Sequence, residues 1–459
     1  MLHRLSLSLA ILAAPVFAAD PPKKPNVIFI LADDLGYGDL GCFGQTKIQT
    51  PVLDKLAKDG MTLTNFYAGS TVCAPSRCAL MTGKHTGHAH IRGNALVPLR
   101  PTDATVAELF QKAGYATGLV GKWGLGEEDS VGIPTKKGFD TFFGYLNQKH
   151  AHNYYPDFLH RGASREPIPA NKQRAGVPGV AETPTVYAPD LFREEALKFL
   201  TANKSKPFFL YFSTVVPHAN NEKTRADGEG MEVPSDAPYS KEKWPKAEKN
   251  KAATITRMDS DIGVLLAKLK ELQLDDNTLV IFTSDNGPHR EGGNDPAFFT
   301  SSGPFRGIKR SLTDGGIRVP CIVRWPGVVK PGTTSDHLSA FWDFFPTVAD
   351  ILGEKPPADT DGISFLPTLT GQGTQKAHKY LYWEFHEGGF AQAIRLGKWK
   401  AIKPAPTAAV KLYDTVADPL EKTDVATANS DAVAKATAIL KAARTDSKEF
   451  PIRPAKKKN

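Results

Sequence analysis

Short, unbroken apolar runs alternate with longer stretches whose apolar residues recur every three to four positions, and the alternation repeats along most of the chain. Residues 26–31 (NVIFIL) form a β-rich run without polar interruption that stops at Ala32-Asp33-Asp34, the pattern of a parallel strand buried on both faces. The spacing predicts a helix over 51–59, with Thr50 at its cap, Pro51 in its first turn and Gly60 past its end. A second helix is expected over 102–113, ended by Gly114 and followed by a strand at 116–120. A third over 191–200 precedes an apolar strand at 207–213 (PFFLYFS). A long helix over 252–272 then leads into 278–283 (TLVIFT), which again stops at an acid, Ser284-Asp285-Asn286. Strand then helix, repeated, predicts an α/β fold with a large, mostly parallel central sheet. Ligands in such folds collect beyond the carboxyl ends of the strands, where both acidic pairs fall.

Polar, Pro- and Gly-rich composition replaces the periodicity at 157–184 and 220–250, which read as long loops around a pocket mouth. Beyond 371–376 the character changes again. Short strands at 380–385, 391–396 and 399–402 and the segment Leu412-Tyr413-Asp414 precede a last helix over 431–443, together a small antiparallel sheet carrying a helix. The expected division is a signal segment at 1–19, a catalytic domain at 20–372 and a C-terminal subdomain at 373–459.

Composition narrows the setting. Arg4, the apolar run 5–14 and Val16-Phe17-Ala18 form a secretory signal pattern too short to span a bilayer. The expectation is export to the periplasm or the cell exterior, with no stable membrane association. A net charge of +8 favours encounter with anionic material. The lysines at 241–251 and 456–458 are expected on a solvated loop and a tail, and no nucleic-acid-binding motif accompanies them. Four cysteines (Cys42, Cys73, Cys78, Cys321) are too few for a disulfide framework, although one bridge is possible.

Candidate chemistry lies in separated clusters. Asp33, Asp34, Asp285 and Asn286 offer four oxygen side chains from two strand ends, a donor set for a hard divalent cation such as Ca²⁺; no Cys/His group has zinc spacing. Lys122 ends the apolar segment Gly118-Leu119-Val120-Gly121-Lys122-Trp123, and His218 follows Val216-Pro217 just past another strand. Lys309 precedes the segment from Thr313 to Pro320. The most specific cluster is Cys73-Ala74-Pro75-Ser76-Arg77, followed by Leu80-Met81-Thr82-Gly83.

That last string resembles the C-x-P-S-R-x-x-L-x-T-G motif of type I sulfatases, in which a maturation enzyme converts the cysteine to formylglycine. The resemblance implies an alkaline-phosphatase-like α/β sandwich and hydrolysis of sulfate monoesters, with a formylglycine-generating enzyme as maturation partner. It implies Ca²⁺ bound by Asp33, Asp34, Asp285, Asn286 and the modified Cys73. It implies catalytic roles for Cys73, Arg77, Lys122, His218 and Lys309, the last two at the leaving oxygen. Relatives continue K-W-H where this chain has Lys122-Trp123-Gly124, so the histidine that takes up a proton is missing. His150 and His152, two apart on a segment expected to be extended, would point the same way and are the candidates to replace it. A sulfated sugar is the expected substrate, galactose or N-acetylgalactosamine within a longer glycan, with Tyr154, Tyr155, Trp383, Glu384 and His386 as candidate contacts. A phosphatase or phosphodiesterase on the same fold and an inactive calcium-dependent glycan-binding protein are the alternatives.

Overall fold

Five apolar strands lie side by side and parallel, in the spatial order Thr278–Ser284, Asn26–Ala32, Phe208–Ser213, Ala116–Lys122 and Thr141–Tyr145. This is the centre of a computed structural model that describes residues 24–453. The expected signal segment and the lysines at 456–458 lie outside the described residues. Cys321–Arg324, Met61–Leu63 and Thr333–Ser335 extend one edge, and Phe158–Arg161 with Ser164–Pro167 the other, to ten strands.

Side chains alternate between two apolar layers, as the pleat requires. Along Asn26–Ala32, Val27, Phe29 and Leu31 pack on the face covered by the helices Cys73–Thr82, Val106–Lys112 and Phe344–Leu352. Ile28 and Ile30 pack on the face covered by Pro51–Lys58, Ala188–Ala202 and Lys246–Glu271. Parallel register then aligns the carboxyl ends: Ala32 pairs with Ser284, Leu31 with Ser213, and Ser213 with Gly121. The polar residues that follow these strands are therefore delivered to one edge.

The C-terminal strands Leu381–Phe385, Ala391–Leu396, Trp399–Lys403 and Lys411–Asp414 form a separate antiparallel sheet. One face carries the helix Ser430–Ala442; the other packs on Tyr67, Val72 and Ile317 of the main body. Asp314, buried, joins the two by accepting from Lys400 Nζ at 2.7 Å and Tyr67 Oη at 2.9 Å.

Several boundaries differ from the periodicity. The helix expected over 102–113 starts only at Val106, because Thr105 and Glu108 form a reciprocal capping box there. The stretch 220–250 is not all loop: Asn220 caps a helix over Asn221–Asp227, accepting from Lys223 N, and the long helix begins at Lys246. Lys246, Lys249 and Lys251 of the lysine run thus lie on a helix, and Lys251 is buried with Nζ 2.6 Å from Ser301 Oγ. All four cysteines are free thiols, so the possible bridge is not formed.

Candidate active site

Cys73 opens a helix whose ten residues are all buried, a burial that alternating surface and core positions would never give. The helix N-terminus faces the carboxyl edge of the sheet, placing Cys73 Sγ 3.4 Å from Asp33 Oδ1 and 4.0 Å from Asp34 Oδ1. Asn94 Oδ1 accepts from Ala74 N at 2.9 Å and so fixes the first turn. One turn on, Arg77 lies on the same side as Cys73. Its Nε and Nη2 donate to Asp285 Oδ2 at 3.0 and 2.8 Å, and Nη1 donates to Lys122 O and Ser213 Oγ.

Two further cations complete the arrangement. Lys122 Nζ donates to Asp33 Oδ2 at 2.7 Å, and Lys309 Nζ donates to Asp34 Oδ2 at 2.7 Å. Asp33, Asp34, Asp285 and Asn286 are fully buried. Three buried carboxylates thus face three buried cations, Arg77, Lys122 and Lys309, which is what makes their burial tolerable. Burial alone would raise the Asp33 carboxyl, but Lys122, with His218, Arg77 and Lys309, holds it well below the usual range. For Asp285, burial reinforced by Asp33 outweighs Arg77 and pushes the carboxyl up to about 7. Burial also pushes the Cys73 thiol well above its ordinary value, against the pull of Lys122. An unmodified Cys73 is therefore a protonated thiol and a poor nucleophile.

The oxygen donors fit a divalent cation. Asp33, Asp34 and Asp285 supply carboxylate oxygens, and Asn286 Oδ1 is buried with no hydrogen-bond partner, a cost that a bound cation would relieve. Asp33, Asp34, Cys73 and His218 also bring ligand atoms within 4.8 Å of one another. The His218 nitrogens are otherwise engaged: Nδ1 meets Ala219 O at 2.7 Å, and Nε2 lies 3.0 Å from Lys309 Nζ. The donor set that is left is oxygen-rich, which suits Ca²⁺ better than zinc.

The two loop histidines separate. The segment His150–His152 is a 3₁₀ turn and not extended, so residues two apart diverge instead of sharing a side. His152 stacks on His218 with ring centroids 4.8 Å apart and planes 8° apart. His150 packs away from the site against Tyr145, Phe158 and His160, with Nε2 buried and unpartnered. Burial, with His160 and Arg165 adding to it, pushes the His150 imidazole down to about 4. Between that value and its unfolded value near 6.5 the unfolded chain binds the extra proton, so this residue costs stability as pH falls through the window. His150→Phe should remove about 2–3 kcal/mol of the acid destabilisation between pH 6.5 and 4 and leave turnover unchanged. Urea unfolding at pH 7 and pH 4.5 checks this, and equal pH dependence in both proteins would contradict it.

Most of the expected sugar contacts are packing residues. Tyr154 is buried and donates to Val215 O and His218 O, anchoring the segment that carries His218. Tyr155 packs on Tyr187. Trp383 donates from Nε1 to Ala68 O, and Glu384 is buried between Arg92 and Arg444. His386 lines an open cavity of about 400 Å³, with Asn94, Glu387 and Phe450. Two residues at the site went unnoticed in the sequence. His289 stacks 5.7 Å from His218 and lies three residues past Asn286, a spacing that could have flagged it. Glu222 bonds His152 from inside a polar stretch that gave no signal.

Comparison with known proteins agrees with this geometry. The sulfatase family model matches residues 25–354, and the model of the N-sulphoglucosamine sulphohydrolase C-terminal region matches 306–446. The chain is 33% identical to mouse N-acetylgalactosamine-6-sulfatase over 427 residues, covering 86% of this chain and 75% of the relative. It is 30% identical to an N-acetylgalactosamine-6-O-sulfatase of Bacteroides thetaiotaomicron over 499 residues, covering 92% and 94%. Among solved structures, Ps i-CgsB in complex with k-i-k-neocarrahexaose superposes with a TM-score of 0.76 at 28% identity, covering 92% of each chain. The motif helix, the strand-end acids and the lysines all lie within the matched region, and the chain belongs to the sulfatase family, hydrolases of sulfate esters.

Proposed function

We propose that this sulfatase is exported and removes sulfate from a glycan, using Cys73 matured to formylglycine beside a Ca²⁺ held by Asp33, Asp34, Asp285 and Asn286. The observation that carries the reading is the position of Cys73. Its side chain, useless as a thiol, points at two buried carboxylates and is ringed by three buried cations. Matured, residue 73 would supply one hydroxyl as nucleophile and a second to release sulfate. Bound Ca²⁺ would supply positive charge for the sulfate oxygens.

The remaining work falls to the chain's own groups. Arg77 locks Asp285 and, through Lys122 O and Ser213 Oγ, ties three strand ends together, so the acids stay in place when substrate binds. Lys122 and Lys309 offer ammonium charge to sulfate oxygens from two sides. His218 rests neutral, because burial and Lys309 push its imidazole well below the usual value. Lys309, kept charged by Asp34 despite its burial, is the donor aimed at His218 Nε2. This pair can place a proton at the bridging oxygen as it leaves, where a sugar alkoxide needs it most. The glycan is supported by the N-acetylgalactosamine-6-sulfatase relatives, by the net charge of +8 and by the open cavity lined by His386 and Asn94. We assign closure of that side of the pocket to a subdomain from about residue 373 onward.

The test is peptide mass spectrometry of the Cys73 segment from a host that matures sulfatases, paired with turnover of an aryl sulfate and an aryl phosphate. The expected result is an aldehyde at residue 73 and hydrolysis of the sulfate at a far higher kcat/KM. An unmodified Cys73 in protein that still turns over aryl sulfate would overturn the formylglycine part. Preference for the phosphate would overturn the substrate class.

A further inference from the structure

Residue 124 cannot supply the missing basic group. Gly124 has φ +81°, a left-handed backbone that favours glycine, and a Cβ built there would lie 2.0 Å from Gln148 Nε2. The space is already taken by another side chain. An unused base beside the site is His152, whose ring lies flat against His218. Its Nδ1 is 2.9 Å from Glu222 Oε2, and among the described residues no group bonds its Nε2. A carboxylate accepts and never donates when ionised, so it fixes the proton on Nδ1 and leaves Nε2 as a lone pair.

We propose that Glu222 is a positioning residue that holds His152 in this tautomer, so that His152 Nε2 serves as the proton acceptor absent at position 124. The inference rests on the sulfatase chemistry proposed above. Glu222 is built for such a role and is not a chance surface partner. Its side chain is only 9% exposed, Arg225 Nη1 holds its other oxygen at 3.2 Å, and its helix is fixed by the Asn220 cap. Burial above all, with the charges of Lys122 and Lys309, favours the neutral ring of His152, and Glu222 opposes them; His218 lies against its face. His152 thus rests neutral and becomes charged only when a hydroxyl of the reacting centre gives up its proton. The proton would move from that oxygen to Nε2 while the electron pair it leaves re-forms the carbonyl and the carbon–oxygen bond to sulfate breaks; Glu222 stabilises the resulting imidazolium, and the proton then leaves to water at the 15% exposed edge of the side chain.

The test uses the full chain with formylglycine content matched by mass spectrometry and an aryl sulfate as substrate. Glu222→Gln should lower kcat about 10- to 100-fold with KM and the unfolding midpoint nearly unchanged, because the amide can bond the wrong tautomer. His152→Ala should lose at least as much, and added imidazole should restore part of its turnover. The double variant should be no slower than His152→Ala alone, since Glu222 acts only through the ring. His150→Phe serves as the control that keeps full turnover. An unchanged kcat in Glu222→Gln, or a loss that persists in full on top of His152→Ala, would overturn the proposal. Failure of the unaltered, matured protein to cleave any sulfate ester would overturn the underlying chemistry, and the proposal with it.

Discussion

Cys73→Ala should abolish turnover of sulfate esters, a fall on the order of 10⁴-fold or more, while the protein stays folded. The asymmetry follows from the contacts of the side chain. Among the described residues Sγ hydrogen-bonds Asp33 Oδ1 at 3.4 Å and Asp34 Oδ1 at 4.0 Å, weak sulfur contacts, and alanine suits a helical position. The structural loss is therefore one small group, about 1 kcal/mol. The chemical loss is complete on the proposed mechanism, because alanine cannot be matured to the hydrated aldehyde that supplies both hydroxyls. Steady-state kinetics with an aryl sulfate and circular dichroism on the same samples separate the two effects. Residual turnover above about one-hundredth of normal would place the nucleophile elsewhere.

Asp285→Ala should damage fold and activity together. The carboxylate accepts from Arg77 Nε and Nη2 through Oδ2 and from Asp34 N through Oδ1. Its removal leaves a fully buried guanidinium with Asp33 at 3.6 Å as its only acidic partner among the described residues. Breaking a buried pair from one side costs about 3–5 kcal/mol, and the low end applies here because Lys122 O and Ser213 Oγ still accept from Arg77. The proposed cation site loses one of its three carboxylates at the same time. Denaturant unfolding should show the lower stability, and calorimetric titration with Ca²⁺ should show weakened or absent binding. A variant with normal unfolding and normal turnover would remove Asp285 from the site.

Much of this arrangement is legible in the sequence because it depends on local order. An apolar run that stops at Asp33-Asp34, and another that stops at Asp285-Asn286, state both the strand and the residues it delivers. Parallel pairing then has little freedom, since strands buried on both faces can only lie in the middle of a sheet. The spacing from Cys73 to Arg77 is one helical turn and so puts both on one side. The capping box at Thr105 and Glu108 is equally local and overrides the wider periodicity, which starts that helix four positions too early.

The layered fold and the places of Cys73, the strand-end acids and the lysines are local information, because each follows from a neighbour in the chain or from a strand that must be buried. Where the two loop histidines come to lie is set by the tertiary fold. A 3₁₀ turn rotates each residue by about 120°, so His150 and His152 part company, one into an aromatic cluster and one onto His218. It also decided that Trp383 and Glu384 are interior groups, since their faces are covered by segments more than 200 residues away in the chain. Glu222 is the clearest case. Its carboxylate meets His152 across 70 positions of sequence, and no local pattern encodes a contact whose two sides are brought together only when the sheet and its loops have folded.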